Sequence, residues 1–325
     1  MTWEERVRAV KNMGFTDRQA GFLVTVMLYA GVCLGRQYCT FARIAYGQKM
    51  HDFFQSLLAR GFVTARGCGH NRARLYHVHH KPLYRAIDEP NNRHRRAMSL
   101  SRAIERLMVL DAVLADGDRM WLATEQEKLR HFALTLGIPQ RDLPVLRFRS
   151  EDAETPRFFP DKLPIGVDAG GRAHTFLYVV TRDVPIDFRA FLERHTELWR
   201  ALRDWTVRLL VPRHLTGAIP VYQGAFRDHV ASPLDPRMLA DLRWYFHARR
   251  NRPLDAEERF DQAARAFRAP RFQALYRAWL ERGETVLDAT LSPVLADALT
   301  WGTGRFECAV LPHSYLRLLP VVGTA

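Results

Sequence analysis

The stretch QKMHDFFQSLLARGFVTARGCGHNRARLYHV, residues 48–78, decides how the chain is read. Met50, Phe53, Phe54, Leu57 and Leu58 recur at i, i+3, i+4, i+7 and i+8, so Gln48 to Arg60 form a helix with one apolar face. Gly61 stops it. FVTA and ARLYHV then carry the residues of two strands, and RGCGHNR between them forms the loop of a hairpin.

Working outward toward the N-terminus, Thr16 and Gln19 of TDRQ make a capping box, with Phe15 placed to staple onto Ala20. The helix that starts there runs through Phe22, Leu23, Val26, Met27 and Ala30 to Gly31, and a second, Arg36 to Ala45, precedes the YGQ turn. Three helices followed by a hairpin are the element order of a winged helix-turn-helix. In such modules the third helix enters the major groove and the hairpin lies along the backbone or in the minor groove. The outward side chains of the third helix are Lys49, His51, Asp52, Gln55 and Ser56, and Gln55 is a type that reads adenine bidentately. Arg66, His70, Asn71, Arg72 and Arg74 fall at the hairpin tip, where phosphate contacts need them. Arg36, Arg43, Gln48 and Arg60 complete the expected surface of this unit.

The same loop holds metal-ligand types, Cys68, His70, His77 and His79. A structural zinc site usually has tighter cysteine pairs, and His77 and His79 share one face of a strand. The expectation is therefore no metal and no cofactor.

The composition agrees with a polyanionic partner. Lys and Arg number 48 against 35 Asp and Glu, a formal charge of +13 in 325 residues, and most of the positive charge is arginine, whose planar fork suits phosphate and guanine edges. No apolar run approaches the roughly 18 residues of a membrane span, and MTWEERVRAVKNMGF lacks the apolar core of a signal peptide. A cytoplasmic, nucleoid-associated protein follows as the expectation. Cys33, Cys39, Cys68 and Cys308 are too few and too irregular for a disulfide framework.

Downstream, EPNNRHRRAMS reads as a linker over 89–98, with Arg93, Arg95 and Arg96 available to a nucleic-acid backbone, so the first domain is expected at 1–88. Ser99 or Ser101 caps a helix through Ala115, and Thr124 caps EQEKLRHFALTLG. RFFPDKLPIGVD and AHTFLYVVT read as strands joined at AGGR, IDFRAFLERHTELWRALRD as a helix and WTVRLLVP as a further strand, which defines an α/β domain at 99–223. The remainder, 224–325, reads as mainly helical with RFECAVLP as a late strand. Trp244, Tyr245, Phe246, Tyr276 and Trp279 fit its core better than a stacking platform, whereas FHARRNR offers Arg249 and Arg250 as a second phosphate contact. The fold class is α+β.

The segments FTDRQAGFLVTVML, HDFFQSLLARGFVTA and PDKLPIGVD…TFLYVVT together resemble the replication-relaxation family, winged-helix proteins of plasmids and integrative elements. The resemblance rests on loose patterns rather than one signature motif. It implies a restriction-endonuclease-type core in the second domain, in which an Asp after Pro and a carboxylate-x-Lys on the next strand would bind Mg²⁺. Asp161 of FPD matches the first element, but Tyr178-Val179-Val180 stands where the second is needed, so the implied core is nuclease-like without nuclease activity. Asp168 and Glu193 keep an unconventional metal site in play, although Asp161 and Asp168 also suit turns. There is no GxxxxGK[ST] phosphate loop and no G-x-S-x-G nucleophile elbow.

The sequence thus points to a non-enzymatic protein of a bacterial mobile element or its host that binds double-stranded DNA. Its service would lie in plasmid mobilisation, replication, recombination or transcriptional control. A Mg²⁺-dependent DNA nuclease using Asp161 and a basic scaffold docking an acidic protein are the alternatives. Homodimer formation and partners from a mobile-element or defence complex are further expectations.

Overall fold

The computed structural model describes residues 1–69, 73–149, 154–251 and 257–318. The N-terminal unit comprises α1 (Trp3–Lys11), α2 (Asp17–Tyr29), β1 (Val32–Leu34), α3 (Gly35–Ala42), α4 (Gln48–Ala59), β2 (Val63–Gly67), β3 (Arg74–Val78) and α5 (Lys81–Ala86). Its strands form an antiparallel sheet in the order β1-β3-β2, with Val63 opposite Val78 and Val32 opposite His77. The capping box of Thr16 and Gln19 is present at the start of α2. Every residue from Ala20 to Tyr29 is buried, so this helix is covered all round rather than on one face. Tight helix approach is built in at Gly35, where a Cβ would lie 2.8 Å from Met50 Sδ.

A second group follows, α6 (Leu100–Ala115), β4 (Met120–Leu122), α7 (Glu125–Leu129) with a wider turn at Arg130–Thr135, β5 (Val145–Arg149), β6 (Glu154–Phe158), β7 (Ile165–Val167), β8 (Ala173–Val179), α8 (Ile186–Ala201) and β9 (Asp204–Val211). The last elements are α9 (Ile219–Phe226), α10 (Pro236–Asn251), α11 (Glu257–Ala266), α12 (Pro270–Arg282), α13 (Thr285–Ala289), α14 (Val294–Thr300) and β10 (Gly304–Val310). A mixed sheet runs β10-β9-β8-β7-β4, parallel from β10 to β8 and antiparallel beyond, while β5 and β6 pair as a separate hairpin. Phe176, Val207, Leu209, Trp199 and Phe188 fill the core between this sheet and α8.

Three boundaries differ from those read off the sequence. Residues 89–98 are not a loose linker: His94 is 4% exposed, its backbone carbonyl meets His77 Nε2 at 3.0 Å, and it packs against Gly31. Helix α6 does not begin a separate domain, because Leu107, Leu110 and Val113 share one core with Phe22, Val26 and Tyr84 and with Leu177 and Leu210 of the mixed sheet. Nor is 224–325 one C-terminal domain, for a helical lobe with its own core of Leu242, Phe246, Leu275 and Trp279 is inserted between β9 and β10. RFFPDKLPIGVD is likewise two strands. Positive φ at Phe159 (50°) and Lys162 (57°) turns the chain between β6 and β7. Among the described residues no helix is long and apolar enough to cross a membrane.

Candidate nucleic-acid interface

Helix α4 buries Met50, Phe53, Phe54 and Leu57 and leaves Gln48, Lys49, His51, Asp52, Gln55 and Ser56 exposed. Phe54 stacks on Tyr76 of β3 with ring centroids 4.0 Å apart, which fixes this helix to the hairpin. Gln48 Nε2 donates to Asp52 Oδ1 at 2.6 Å, so the one carboxylate on the exposed face is held by its neighbour. Tyr46, 65% exposed and edge-on to His51 at 5.7 Å, adds an aromatic side chain to the rim of this face. Sequence reading passed over it. Its signal was a lone aromatic in the polar YGQ turn.

In the hairpin, Thr64, Ala65, Arg66 and Gly67 are exposed along β2, and Arg74 is exposed at the start of β3. Arg66 and Arg74 have no carboxylate partner among the described residues. His70, Asn71 and Arg72, expected at the tip, lie outside the described residues. The register also separates the metal-ligand types weighed there and set aside as a zinc site. Cys68 donates its N–H to the Ala73 carbonyl at the tip end, whereas His77 lies opposite Thr64 four residues along, roughly 13 Å away at strand rise, so the two cannot share an ion. His79 follows beyond His77, with ring centroids 5.9 Å apart.

The other expected cations fall into two groups. Arg43 is exposed with a left-handed backbone (φ 52°), closing α3 three residues earlier than expected, and Arg96 and Arg250 are also exposed. Arg36, Arg60 and Arg249 are committed elsewhere. Arg36 makes a bidentate pair with Asp111 on α6 at 2.7 and 2.6 Å, beside Gln37 Nε2 at 2.9 Å and the Tyr315 hydroxyl. Arg60 lies over Phe15 and Phe62 at 4.6 and 4.3 Å and donates to the Met13 carbonyl. Arg249 covers Tyr276 at 4.3 Å and donates to Gln273 at 2.8 Å. Of the aromatic side chains beside it, Tyr245, Phe246 and Trp279 are buried in the lobe's core, and Trp244 is capped by Arg259 at 4.0 Å.

The three carboxylates considered for metal do not converge. Asp161 is ion-paired with Arg194 of α8 and lies 3.9 Å from His195 Nδ1. Asp168 Oδ1 accepts the N–H groups of Arg172 and Ala173 at 2.7 and 2.8 Å, the turn role that Asp favours. Glu193 is buried against Arg282 (2.5 Å) and His229 (3.6 Å). Among the described residues no group of three or more His, Cys, Asp or Glu is placed to hold a metal. Beside Asp161 sits Lys128, 2% exposed, whose Nζ donates to the Leu163 carbonyl at 2.6 Å and is pushed down to about 7 by burial and then by Arg93.

Burial holds His174 and His195 down at about 4 and His229 at about 3. At neutral pH His195 is therefore uncharged and its approach to Asp161 is not an ion pair. The unfolded chain takes up these protons near pH 6.5, while the native chain resists them until about pH 4, so stability falls as the pH drops through that window. The melting temperature should decline between about pH 6.5 and 5, above the range where ordinary carboxylates dominate. A flat profile there would mean that these histidines are not buried in solution.

Comparison with protein-family models, curated proteins and solved structures gives no match for this chain.

Proposed function

We propose that the protein binds duplex DNA through a winged helix-turn-helix, with α4 as the reading helix and the β2–β3 hairpin as the wing. One observation carries this reading. The polar face of α4 is turned to solvent beside a hairpin whose Arg66 and Arg74 have no carboxylate partner among the described residues, although the chain closes many of its other arginines with carboxylates. Helix, strand, helix, helix and hairpin in this order over α2 to β3 support it. The parallel strands β8, β9 and β10 with α8 across them support the further reading of a nuclease-like core. Asp161, engaged by Arg194, is assigned a structural role in it, so the protein acts by binding rather than by cutting. The mobile-element setting rests on the family resemblance.

The test separates reading from positioning. Gln55→Ala should cost about 1 to 3 kcal/mol on a preferred site and little on scrambled duplex. Arg66→Ala with Arg74→Ala should weaken both duplexes alike and flatten the salt dependence by about 1 to 2 in slope. Competition binding measures both. Equal loss on both duplexes in the Gln55 variant removes α4 as the reader. Unchanged affinity in the arginine variant leaves an acidic protein as the better partner for this face, and Mg²⁺-dependent cleavage abolished by Asp161→Ala would restore the nuclease.

A further inference from the structure

The turn Arg93–Arg95, the start of α6 and the segment 157–163, from the end of β6 into the loop after it, bring five cations together: Arg93, Arg102, Arg106, Arg157 and Lys162. Arg93 Nη2 donates to the Lys162 carbonyl at 2.6 Å, which ties the turn to the loop. Arg106 Nη1 reaches the Ala30 carbonyl at 3.4 Å and Met98 Sδ at 3.2 Å, and Arg157 lies over Phe148 at 5.8 Å. Among the described residues three carboxylates come near, and Asp161 of the same segment is already paired with Arg194. Glu105 pairs with Arg102 at 3.2 Å, and Glu125 accepts the Phe158 N–H at 2.9 Å.

Positive charge is therefore in excess here, and the groups register it. Burial, then Arg106 and Arg102, hold the Arg93 guanidinium down at about 10. Arg106 is lowered by burial and Arg102, and Lys162 by burial, Arg93 and Arg157. Arg95 adds a buried Nε with no hydrogen-bond partner among the described residues. Elsewhere the chain closes comparable arginines with acids, Arg36 with Asp111, Arg194 with Asp161, and Arg208 with both Asp116 and Glu307. Among the described residues, five cations gathered from three segments face Glu105, Glu125 and the already paired Asp161, so they repel one another, and an anion that enters relieves the repulsion. Four of the five are arginines, whose forks match phosphate oxygens in pairs.

We propose that this cluster is a phosphate-binding site that takes the phosphodiester groups of bound nucleic acid, a contact separate from α4 and the hairpin; it rests on the duplex-binding reading above. Arg102, Arg157 and Lys162 are exposed and meet the ligand first, while Arg93 and Arg106, half-buried behind them, supply the field.

The test uses the full chain carrying Arg102→Gln and Lys162→Gln, two exposed side chains whose loss leaves the core intact. Its duplex binding should show a salt slope flatter by about 1 to 2 than the parent. Pyrophosphate, used as a small probe, should raise the melting temperature of the parent and not of the double variant. An unchanged slope together with an undiminished pyrophosphate shift overturns the site. If the Arg66 and Arg74 changes abolish binding while this pair changes neither readout, the winged-helix reading stands and the second site falls. If the parent binds no duplex but the pyrophosphate shift is lost in the variant, the duplex reading falls and the phosphate comes from a free ligand.

Discussion

Asp111→Ala should cost about 3 to 5 kcal/mol of stability, the penalty for leaving a mostly buried charge without its partner. Asp111 receives both nitrogens of Arg36, the amide of Gln37 and the Tyr315 hydroxyl, and its side chain is 10% exposed. Removing it strands Arg36 and the Tyr315 hydroxyl and leaves the Gln37 amide only the Leu107 carbonyl. Asp111→Asn keeps an acceptor oxygen for part of that set and should lose less. The order of the two urea midpoints is the decisive reading, and equal midpoints would show that the charge itself contributes nothing. Because Arg36 and Gln37 lie on α3, which braces α4, the proposed duplex binding should weaken in the alanine variant as well.

Gly31→Ala is the second large effect. The residue has φ +73°, and an added Cβ would lie 2.4 Å from the His94 carbonyl oxygen. Left-handed strain and overpacking together come to about 3 to 5 kcal/mol. Gly61 supplies the control, since its φ is +66° but a Cβ there meets nothing within 4 Å, so Gly61→Ala should cost only about 1 to 2 kcal/mol. Chemical denaturation of both variants isolates the clash. Similar losses at the two positions would mean that His94 does not pack on Gly31.

These residues show what a sequence displays and what it hides. The apolar stripe of α4 was visible because Met50, Phe53, Phe54 and Leu57 repeat within one helix, and the caps at Thr16, Ser99 and Thr124 are equally local. Strand β1 was not visible. Its three residues, Val32, Cys33 and Leu34, carry no period of their own and are strand only because β3 pairs with them. The basic run at 89–98 looked like a linker by composition, yet His77 and Gly31 hold His94 down from far away in the chain.

Charge was harder still. Arg36 reads as a free cation in sequence because its acid lies 75 residues away, and Arg60 likewise meets the Met13 carbonyl across 47 residues. Arg66 and Arg74 were read as exposed for a better reason, since a hairpin tip has few neighbours to neutralise it. Arg102, Arg106, Arg157 and Lys162 gave no signal, being scattered through the chain and brought together only by the turn at 93–95 and the loop before β7.

The lobe inserted between β9 and β10 has a consequence for synthesis. Residues 212–303 must emerge after β9 before the strand that pairs with its outer edge exists. At ordinary translation rates of about 5 to 20 residues per second, the edge from Trp205 to Val211, with Val207 and Leu209 among its residues, stays unpaired for about 5 to 20 s. Over that interval the nascent chain presents a β-rich edge to its neighbours on the same messenger. Slower decoding across the lobe should therefore raise the aggregated fraction of the product.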